Sequence, residues 1–342
     1  MKNTVFNAIK RKISFVLIIV LVVSSGILSS CSAIPQSAAL EINGVEISND
    51  VFTYFLDVAL AEQKANAQAN ASSSEKEVAF ARAVQLTETY FKTNSLAKKC
   101  GISLSTANKA EVSEKVNAYW SVYGEYYTSI GVSKETLTKV FTADAYKNRL
   151  LVFYYGEGGE EEISVASMYA YFKTNYIVFQ SINGYLTYMD DSGKSVLLQA
   201  NQIEELLIKF KNMANLVNAK EKTMEEAADF LAGTGYSSSV ITMVLKRDDT
   251  SYPAGFFDKV KSTQARVATV IGTNEYIFLV LRGDAGVTSE YYLEKKEEIL
   301  NALVGDKIDV KIENSIETEH SINSKNAESI YSLIKFEKTG AV

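Results

Sequence analysis

The sequence predicts an α+β fold in which a helical region comes first and an antiparallel sheet flanked by helices follows. Residues 38–155 contain four helical stretches, residues 163–283 alternate between strands and helices, and residues 284–342 run as helix, strand and helix. The chain has 342 residues, of which 47% are hydrophobic and 22% charged. It is therefore long and apolar enough to form more than one folded domain.

The helical region begins with a brief strand, an Asn43–Gly44 turn and a helix start at Ser48 or Asn49. Each later helix has polar residues that start it or a glycine that ends it. These signals are Ser74 with Glu77, Gly101, Ser105, Gly131 and Ser133. Residues 38–155 are thus expected to form one helical module.

The segment "GEGGEEE", residues 156–162, is a glycine-rich acidic break and marks a domain boundary. Beyond it the pattern predicts a helix, a strand entering an Asp/Gly turn, two helices and two strands. The last strand pair, within residues 265–282, is expected to break at Gly272. Residues 163–283 are therefore expected to form an antiparallel sheet with helices.

The tail, residues 284–342, is predicted to contain a helix, a strand and a last helix. The strand is placed at residues 307–314 because Ile308, Val310 and Ile312 alternate with polar residues, as in a half-buried strand.

The amino terminus has the pattern of a secretory signal. Lys2, Lys10, Arg11 and Lys12 precede the apolar run at residues 13–23, and no acidic residue occurs before Glu41. This run of 11 residues is shorter than the ~20 that a membrane-spanning helix needs, so a permanent anchor is the weaker alternative. Residues 1–30 are expected to be removed as a signal peptide.

The end of this signal, Leu28-Ser29-Ser30-Cys31, resembles the bacterial lipobox. The resemblance implies that Cys31 carries a diacylglycerol thioether and acyl chains, such as palmitate, and becomes the first mature residue. The protein would then be anchored in the bacterial cell membrane on its extracytoplasmic face, with residues 31–37 as a tether. The alternative is a plain signal followed by an incidental cysteine. With Cys31 lipidated, Cys100 would have no other cysteine with which to form a disulfide.

Charge and composition exclude several classes of function. The net charge of -6 makes nucleic acid a poor partner, because phosphate binding needs clustered lysine and arginine. Two cysteines and a single histidine, His320, cannot build a Cys/His zinc cage. We expect no metal and no cofactor.

Residues 38–155 contain, in this order, the segments "EINGVEISNDVFTYFL", "LAKKCGISLSTANKAEVSEKV" and "GVSKETL". Together they give the helical region a resemblance to the SurA and PrsA group of extracytoplasmic foldases. It implies a cradle-like module that shields unfolded or nascent secreted polypeptides and is completed by the C-terminal segment.

The second region contains the segments "YIVFQSINGYLTYMDDSGK" and "TNEYIFLVLR". They resemble the first and the closing strand of a parvulin-type peptidyl-prolyl isomerase domain, each of which carries one histidine in that family. "SYPAGFF" resembles a remnant of the loop between them. The resemblance places Asn183 and Ile277 where the histidines belong. We therefore expect a parvulin-like fold that is degenerate and has no catalytic residues.

The segment "AYWSVYGEYY" concentrates aromatic residues that could contact exposed apolar segments of clients. Tyr119, Tyr123 and Tyr126 share one helical face, and Trp120 lies between them in sequence. The alternative is ordinary packing between helices, which the sequence favours.

Three functions follow from these observations. The first is a membrane-anchored chaperone-like lipoprotein whose parvulin-like domain is inactive. The second is a divergent but active peptidyl-prolyl cis-trans isomerase. The third is a lipoprotein adaptor for a specific surface partner.

Overall fold

The computed structural model describes residues 37–65, 75–235 and 237–340. The predicted signal peptide, Leu28 to Cys31, the tether up to residue 36 and the predicted cap Ser74 lie outside the described residues. The chain divides into two compact units. The first contains the described residues up to Phe153 and those from Val304 onward, and the second is Tyr154–Leu303.

The first unit consists mainly of helices around a small sheet. Its helices are α1 (Asn49–Ala65), α2 (Glu75–Lys99), α3 (Thr106–Ser129), α4 (Lys134–Tyr155, whose last two residues enter the second unit), the part of α9 (Glu290–Glu313) from Val304 onward, and α10 (Ser324–Gly340). Its strands are β1 (Leu40–Ile42), β2 (Val45–Ile47) and β9 (His320–Ile322). The sheet order is β2-β1-β9, so a strand near the carboxyl end of the chain pairs with the first hairpin.

The hairpin turn and its pairing tie distant segments together. Asn43 and Gly44 both have positive φ values, 50° and 75°, which suit the two-residue turn of a tight hairpin. The Asn43 side chain donates to the Glu317 carbonyl at 2.9 Å and accepts from the Glu319 amide at 2.8 Å. The Asn43 backbone amide also donates to the Glu319 carbonyl at 2.9 Å, so the antiparallel pairing of β1 with β9 extends into the turn.

The core of the first unit combines α1, α10 and both sides of the hairpin. Phe52, Leu56 and Leu60 repeat every four residues on α1 and are buried, as are Ile330 and Ile334 on α10. Burial of each such side chain contributes roughly 1.5–3 kcal/mol relative to exposure. The two ends of the described chain thus share one hydrophobic core.

A buried lysine links α2 to α9 (Glu290–Glu313). The Lys92 side chain is only 5% exposed, and its ammonium lies 2.5 Å from the Glu313 carboxylate. The same ammonium donates to the Glu313 carbonyl at 3.1 Å. A cation at a helix carboxyl end also interacts favourably with the helix dipole. Lys92 therefore has partners for a charge that would otherwise be costly to bury.

The second unit contains an antiparallel sheet of four strands and a small hairpin. The sheet consists of β3 (Tyr176–Tyr185), β6 (Ser237–Lys246), β7 (Ala268–Gly272) and β8 (Tyr276–Arg282), in the order β6-β3-β8-β7. The hairpin is β4 (Thr187–Met189) with β5 (Ser195–Leu197). The helices are α5 (Val165–Asn175), α6 (Ala200–Asn218), α7 (Met224–Ala232), α8 (Phe256–Ser262) and the first part of α9.

Helices cover both faces of this sheet, so it has two cores. On one face Ile182, Ile277 and Leu279 pack with Phe210 of α6 and Leu231 of α7. On the other face, residues of the strands pack with α8. They are Ile177, Phe179, Phe278 and Val280, together with Phe256, Phe257 and Val260 of the helix. The α+β fold class predicted from the sequence is confirmed.

The strand predicted at residues 307–314 is wrong, because these residues are helical and belong to α9. Ile308 and Ile312 are buried and lie one helical turn apart, whereas Val310 is 59% exposed. Apolar residues at positions i and i+4 lie on one face of a helix and also on one face of a strand, so the short alternation of apolar and polar residues was ambiguous. The strand of the tail is β9 instead.

The tail also divides at a different place from the one predicted. The sequence assigned residues 284–342 to a single segment that packs on the helical module, whereas the structure assigns residues up to Leu303 to the second unit. Val304 has φ −140° and ψ 15°, so the backbone of α9 is not helical at this residue. The kink coincides with the boundary between the units.

We expect Glu313→Ala to lower the free energy of unfolding of the first unit by about 1.5–3 kcal/mol, because it removes a hydrogen bond to a buried charge. Lys92→Met should cost less, because it keeps the volume and removes the charge. Urea unfolding followed by fluorescence of Trp120, the single tryptophan of the chain, measures both.

The control for this prediction is Glu111→Ala, which removes an exposed pair with Lys115 on α3. It should change stability by less than ~0.5 kcal/mol. If Glu313→Ala and Glu111→Ala lowered the free energy of unfolding equally, the pair with the buried Lys92 would contribute no more to stability than an exposed ion pair.

Candidate functional site

The strand positions that the sequence assigned to the parvulin histidines lie on opposite faces of the sheet. In the pairing of β3 with β8, Asn183 lies opposite Phe278 and Gly184 lies opposite Ile277. Successive residues of a strand point to opposite faces. Asn183 therefore shares a face with Phe278 on the side of α8, whereas Ile277 points toward α6 and α7. The structure does not bring Asn183 and Ile277 together.

Ile277 has a packing role. It is 2% exposed and lies in the core with Ile182 and Leu279. A Cβ atom at Gly184 would lie 2.5 Å from Cγ2 of Ile277 and 2.7 Å from Cζ of Phe210. A glycine is therefore required at position 184 so that Ile277 and Phe210 can pack against the strand.

Asn183 lies in a small polar network at the edge of the other face. Its backbone amide donates to Oγ of Ser238 at 2.9 Å, and its Oδ1 accepts from Oγ of Ser181 at 2.8 Å. Ser181 is fully buried and Asn183 is half-buried. The network leaves Asn183 partly accessible while fixing its position.

Tyr252 lies beside this network. Burial raises the pKa of its hydroxyl above the usual value of 10, and the nearby Ser181 and Asn183 side chains partly offset the rise. The hydroxyl therefore stays protonated at neutral pH and remains a hydrogen-bond donor.

Aromatic rings surround Asn183 and form what we call the aromatic surface: Tyr185, Tyr252, Tyr276 and Phe278. Tyr276 stacks on Phe278 with ring centroids 5.7 Å apart, and the rings of Tyr185 and Tyr276 are 5.9 Å apart. Tyr252 stacks on Phe256 of α8 at 4.5 Å. Phe278 is buried, whereas the three tyrosines remain half-buried or exposed. The surface can therefore contact a ligand through ring faces and through an amide.

The residues that the sequence reasoning missed are Tyr252 and Phe278. Side chains of β8 alternate between the two faces of the sheet. Once the register with β3 is known, this alternation places Phe278, and not Ile277, on the face of Asn183. Tyr252 lies in "SYPAGFF", which was interpreted only as a loop remnant. A contact between this loop and Asn183 has no signature in the sequence.

The aromatic residues of α3 are mostly part of the core of the first unit. Tyr119, Trp120 and Tyr126 pack against it, and the Trp120 ring lies against Gly124. Tyr126 donates to Oδ1 of Asp57 at 2.6 Å. Burial, reinforced by Asp57, raises the pKa of the Tyr126 hydroxyl far above its usual range.

Tyr123 differs from these residues because it is 47% exposed, next to Val122 at 69%. Its ring lies 4.7 Å from that of Tyr119. Of the predicted client-binding residues, Tyr123 is the most exposed to solvent.

The first unit also contains a cleft of about 470 Å³ between α3 and α4. Leu104, Val112 and Val116 line it, together with Lys109 and Lys134. Glu135 also lines the cleft, so its apolar side chains lie near charges of both signs.

The described residues show no group of three or more His, Cys, Asp or Glu side chains placed to hold a metal ion. None of the helices among residues 37–65, 75–235 and 237–340 is long and apolar enough to cross a membrane. His320 lies in β9 of the first unit, where its Nδ1 is 2.9 Å from the Glu88 carboxylate.

No model of a known protein family matches the chain, and no curated protein sequence matches it. Solved structures do. The chain is similar to the foldase protein PrsA from Streptococcus pneumoniae at 14% identity, covering 87% of this chain and 91% of that one, with a TM-score of 0.33. The foldase protein PrsA from Lactococcus lactis is 10% identical, and the match covers 87% of this chain and 99% of that one with a TM-score of 0.36. PrsA from Bacillus subtilis is 12% identical, and the match covers 78% of this chain and 85% of that one with a TM-score of 0.26. The chain is thus similar to PrsA foldases over most of its length, at low identity.

Proposed function

We propose that this chain is a membrane-anchored, extracytoplasmic chaperone-like lipoprotein that binds unfolded secreted polypeptides. The second unit supplies a peptide-binding surface that does not catalyse prolyl isomerisation. The observation that carries the proposal is the aromatic surface around Asn183, which joins apolar ring faces to a fixed amide.

The chemistry of the aromatic surface suits unfolded chains. Half-buried tyrosine rings offer apolar contact area at low entropic cost, and their hydroxyls offer hydrogen bonds. Exposed apolar and prolyl side chains of an unfolded polypeptide would contact the rings of Tyr185, Tyr252 and Tyr276. The Asn183 amide can bond a peptide group without requiring a particular side chain. Such contacts give weak and sequence-tolerant binding.

The same geometry argues against catalysis. The barrier to rotation about a peptide bond is ~18–20 kcal/mol, and the parvulin resemblance implies that a pair of hydrogen-bonded histidines lowers it. On the face of Asn183 the cross-strand partner is Phe278. Neither side chain changes charge near neutral pH, and neither can replace an imidazole.

The helical unit adds a second apolar contact. Val122 and Tyr123 are exposed side by side on α3. The other aromatic residues of that segment support this face from the core, so the proposed contact there is limited to these two residues.

The anchor places both surfaces at the membrane. A thioether-linked diacylglycerol at Cys31, with each buried CH₂ contributing ~0.8 kcal/mol, would hold the chain at the bilayer. Tethering raises the effective concentration of the binding surfaces where secreted chains emerge.

We expect the mature chain, beginning at residue 31 with Cys31→Ser, to suppress aggregation of two unrelated unfolded clients, reduced insulin and chemically unfolded citrate synthase. The double variant Tyr185→Ser, Tyr276→Ser should bind clients about tenfold more weakly, corresponding to roughly 1.4 kcal/mol of lost contact. Light scattering measures the suppression, and fluorescence anisotropy with labelled client measures the affinity.

The matched control is Ile208→Ser on α6, which removes an exposed apolar side chain of the second unit. It should leave suppression unchanged. Suppression of aggregation for one client alone would favour a dedicated adaptor. If Ile208→Ser lost as much suppression as the double variant, the aromatic surface would not be the client-binding site.

A proline-containing tetrapeptide should isomerise at its uncatalysed rate, over tens of seconds, in the presence of the mature chain. A protease-coupled assay measures this rate, with an active parvulin as the positive control. Acceleration that Asn183→Ala and Tyr252→Phe both abolish would establish a divergent isomerase and contradict the proposal.

Cys31 should be labelled when the full chain is produced in bacteria fed with an alkyne analogue of palmitate. Cys31→Ser should lose both the label and the membrane association, whereas the matched variant Cys100→Ser should keep them. In-gel fluorescence after fractionation gives the answer. A label that persists in Cys31→Ser would rule out the anchor at this residue.

A further inference from the structure

One edge of the four-stranded sheet is a long strand. The order β6-β3-β8-β7 makes β6 and β7 the outer strands. β6 has 10 residues, whereas β7 has 5. An outer strand presents one row of backbone amide and carbonyl groups away from the sheet.

Two hydrogen bonds show which groups of β6 point outward. The Arg247 amide donates to the Asn175 carbonyl at 2.8 Å, and the Gly283 amide donates to the Val178 carbonyl at 2.8 Å. Odd-numbered residues of β3 before the bulge therefore bond toward β6, and even-numbered ones bond toward β8. The partners of Ile177, Phe179 and Ser181 on β6 are Leu245, Met243 and Ile241.

The residues of β6 that alternate with these three, Val240, Thr242 and Val244, therefore direct their amides and carbonyls away from β3. Within the described ranges of the chain, no hydrogen bond reaches these outward groups. Thr242 is also exposed through its side chain. A row of outward donors and acceptors thus runs along the middle of the strand.

The sequence of β6 lacks the usual protection of an edge. Between Ser237 and Leu245 there is no charged residue and no proline, and Lys246 closes the strand. Natural proteins commonly blunt such edges with charges, prolines or short strands. An edge of this length and composition is suited to pair with another strand.

The edge is continuous with the aromatic surface. Ile241 pairs with Ser181 and Met243 pairs with Phe179, so both side chains lie on the face of Asn183. Met243 and Tyr252 both pack against the core beneath α8. A strand added beside β6 would place alternate side chains next to Ile241 and Met243.

We propose that β6 is a docking edge that takes up an extended, uncharged segment of an unfolded polypeptide as a fifth strand of the sheet. The inference deepens the proposed function, on which it rests. Main-chain hydrogen bonds to Val240, Thr242 and Val244 supply affinity without regard to sequence, as in other cases of strand addition. Ile241, Met243 and the aromatic surface then favour apolar side chains at alternate positions. Continuity with that surface favours an unfolded segment over a second copy of the sheet.

The test uses a fluorescein-labelled octapeptide, Lys-Thr-Val-Thr-Val-Thr-Val-Lys, and the mature chain carrying Cys31→Ser. Thr242→Pro removes one outward amide and leaves the ladder with β3 intact, because proline is tolerated at solvent-facing edge positions. It should weaken binding at least tenfold in fluorescence anisotropy. The matched variant Thr242→Val keeps the amide and should bind like the unaltered chain. Equal binding by Thr242→Pro and Thr242→Val would overturn the proposal.

A second measurement needs no variant of the protein. In an added antiparallel strand whose valines lie beside Ile241 and Met243, the amides that point toward β6 are those of the threonines. The same peptide with N-methyl groups on its three threonines can therefore no longer donate along that edge, and it should lose binding to the unaltered chain. Undiminished binding of the methylated peptide would also overturn strand addition.

The outcomes separate this inference from the proposed function. If the unaltered chain suppresses client aggregation but binds the peptide equally well with and without N-methyl groups, only the docking edge fails. If it neither suppresses aggregation nor binds the peptide, the proposed function fails as well. A chain that ignores the peptide but sediments as a dimer, and becomes a monomer in Thr242→Pro, would assign the edge to a second copy and contradict the proposal.

Discussion

The hydrogen-bond ladder of β3 is the constraint on which the geometry of the second unit depends. β3 is bonded on both sides, to β6 and to β8, and its side chains alternate between two covered faces. A shift of one residue in its register would exchange the faces of all its side chains. The ladder therefore decides that Asn183 faces the aromatic surface, that Ile277 is a core residue and that the middle of β6 points its amides outward.

Much of the architecture could be predicted from the sequence because its signals are local. The Asn43–Gly44 turn and the Ser105 cap are formed as expected. The helix at residues 307–313 was taken for a strand, because the apolar residues Ile308, Val310 and Ile312 alternate as in a strand while Ile308 and Ile312 also fit the period of a helix. Burial of Ile308 and Ile312, set by packing in the first unit, selects the helix.

The candidate site was harder to predict than the fold. Positions 183 and 277 were both assigned through family resemblance, whereas the cross-strand partner of Asn183 in the structure is Phe278. Sequence patterns locate strands to within a residue or two, whereas face assignment requires the register. Tyr252 reaches the site from a loop, and no periodicity connects it with Asn183. The aromatic segment of α3 illustrates the opposite case, because the packing between helices that the sequence favoured accounts for Tyr119, Trp120 and Tyr126.

The pairing of β1 with β9 has a consequence for the order in which the chain can fold. The first unit needs residues from near both ends of the described chain, whereas the second unit is one uninterrupted segment between them. A polypeptide that emerges amino end first can therefore complete the inner unit while the outer one still lacks its third strand and last helix. Until those residues arrive, the apolar faces of α1 that await α10 stay uncovered, and the protein would itself pass through the kind of unfinished state that it is proposed to recognise.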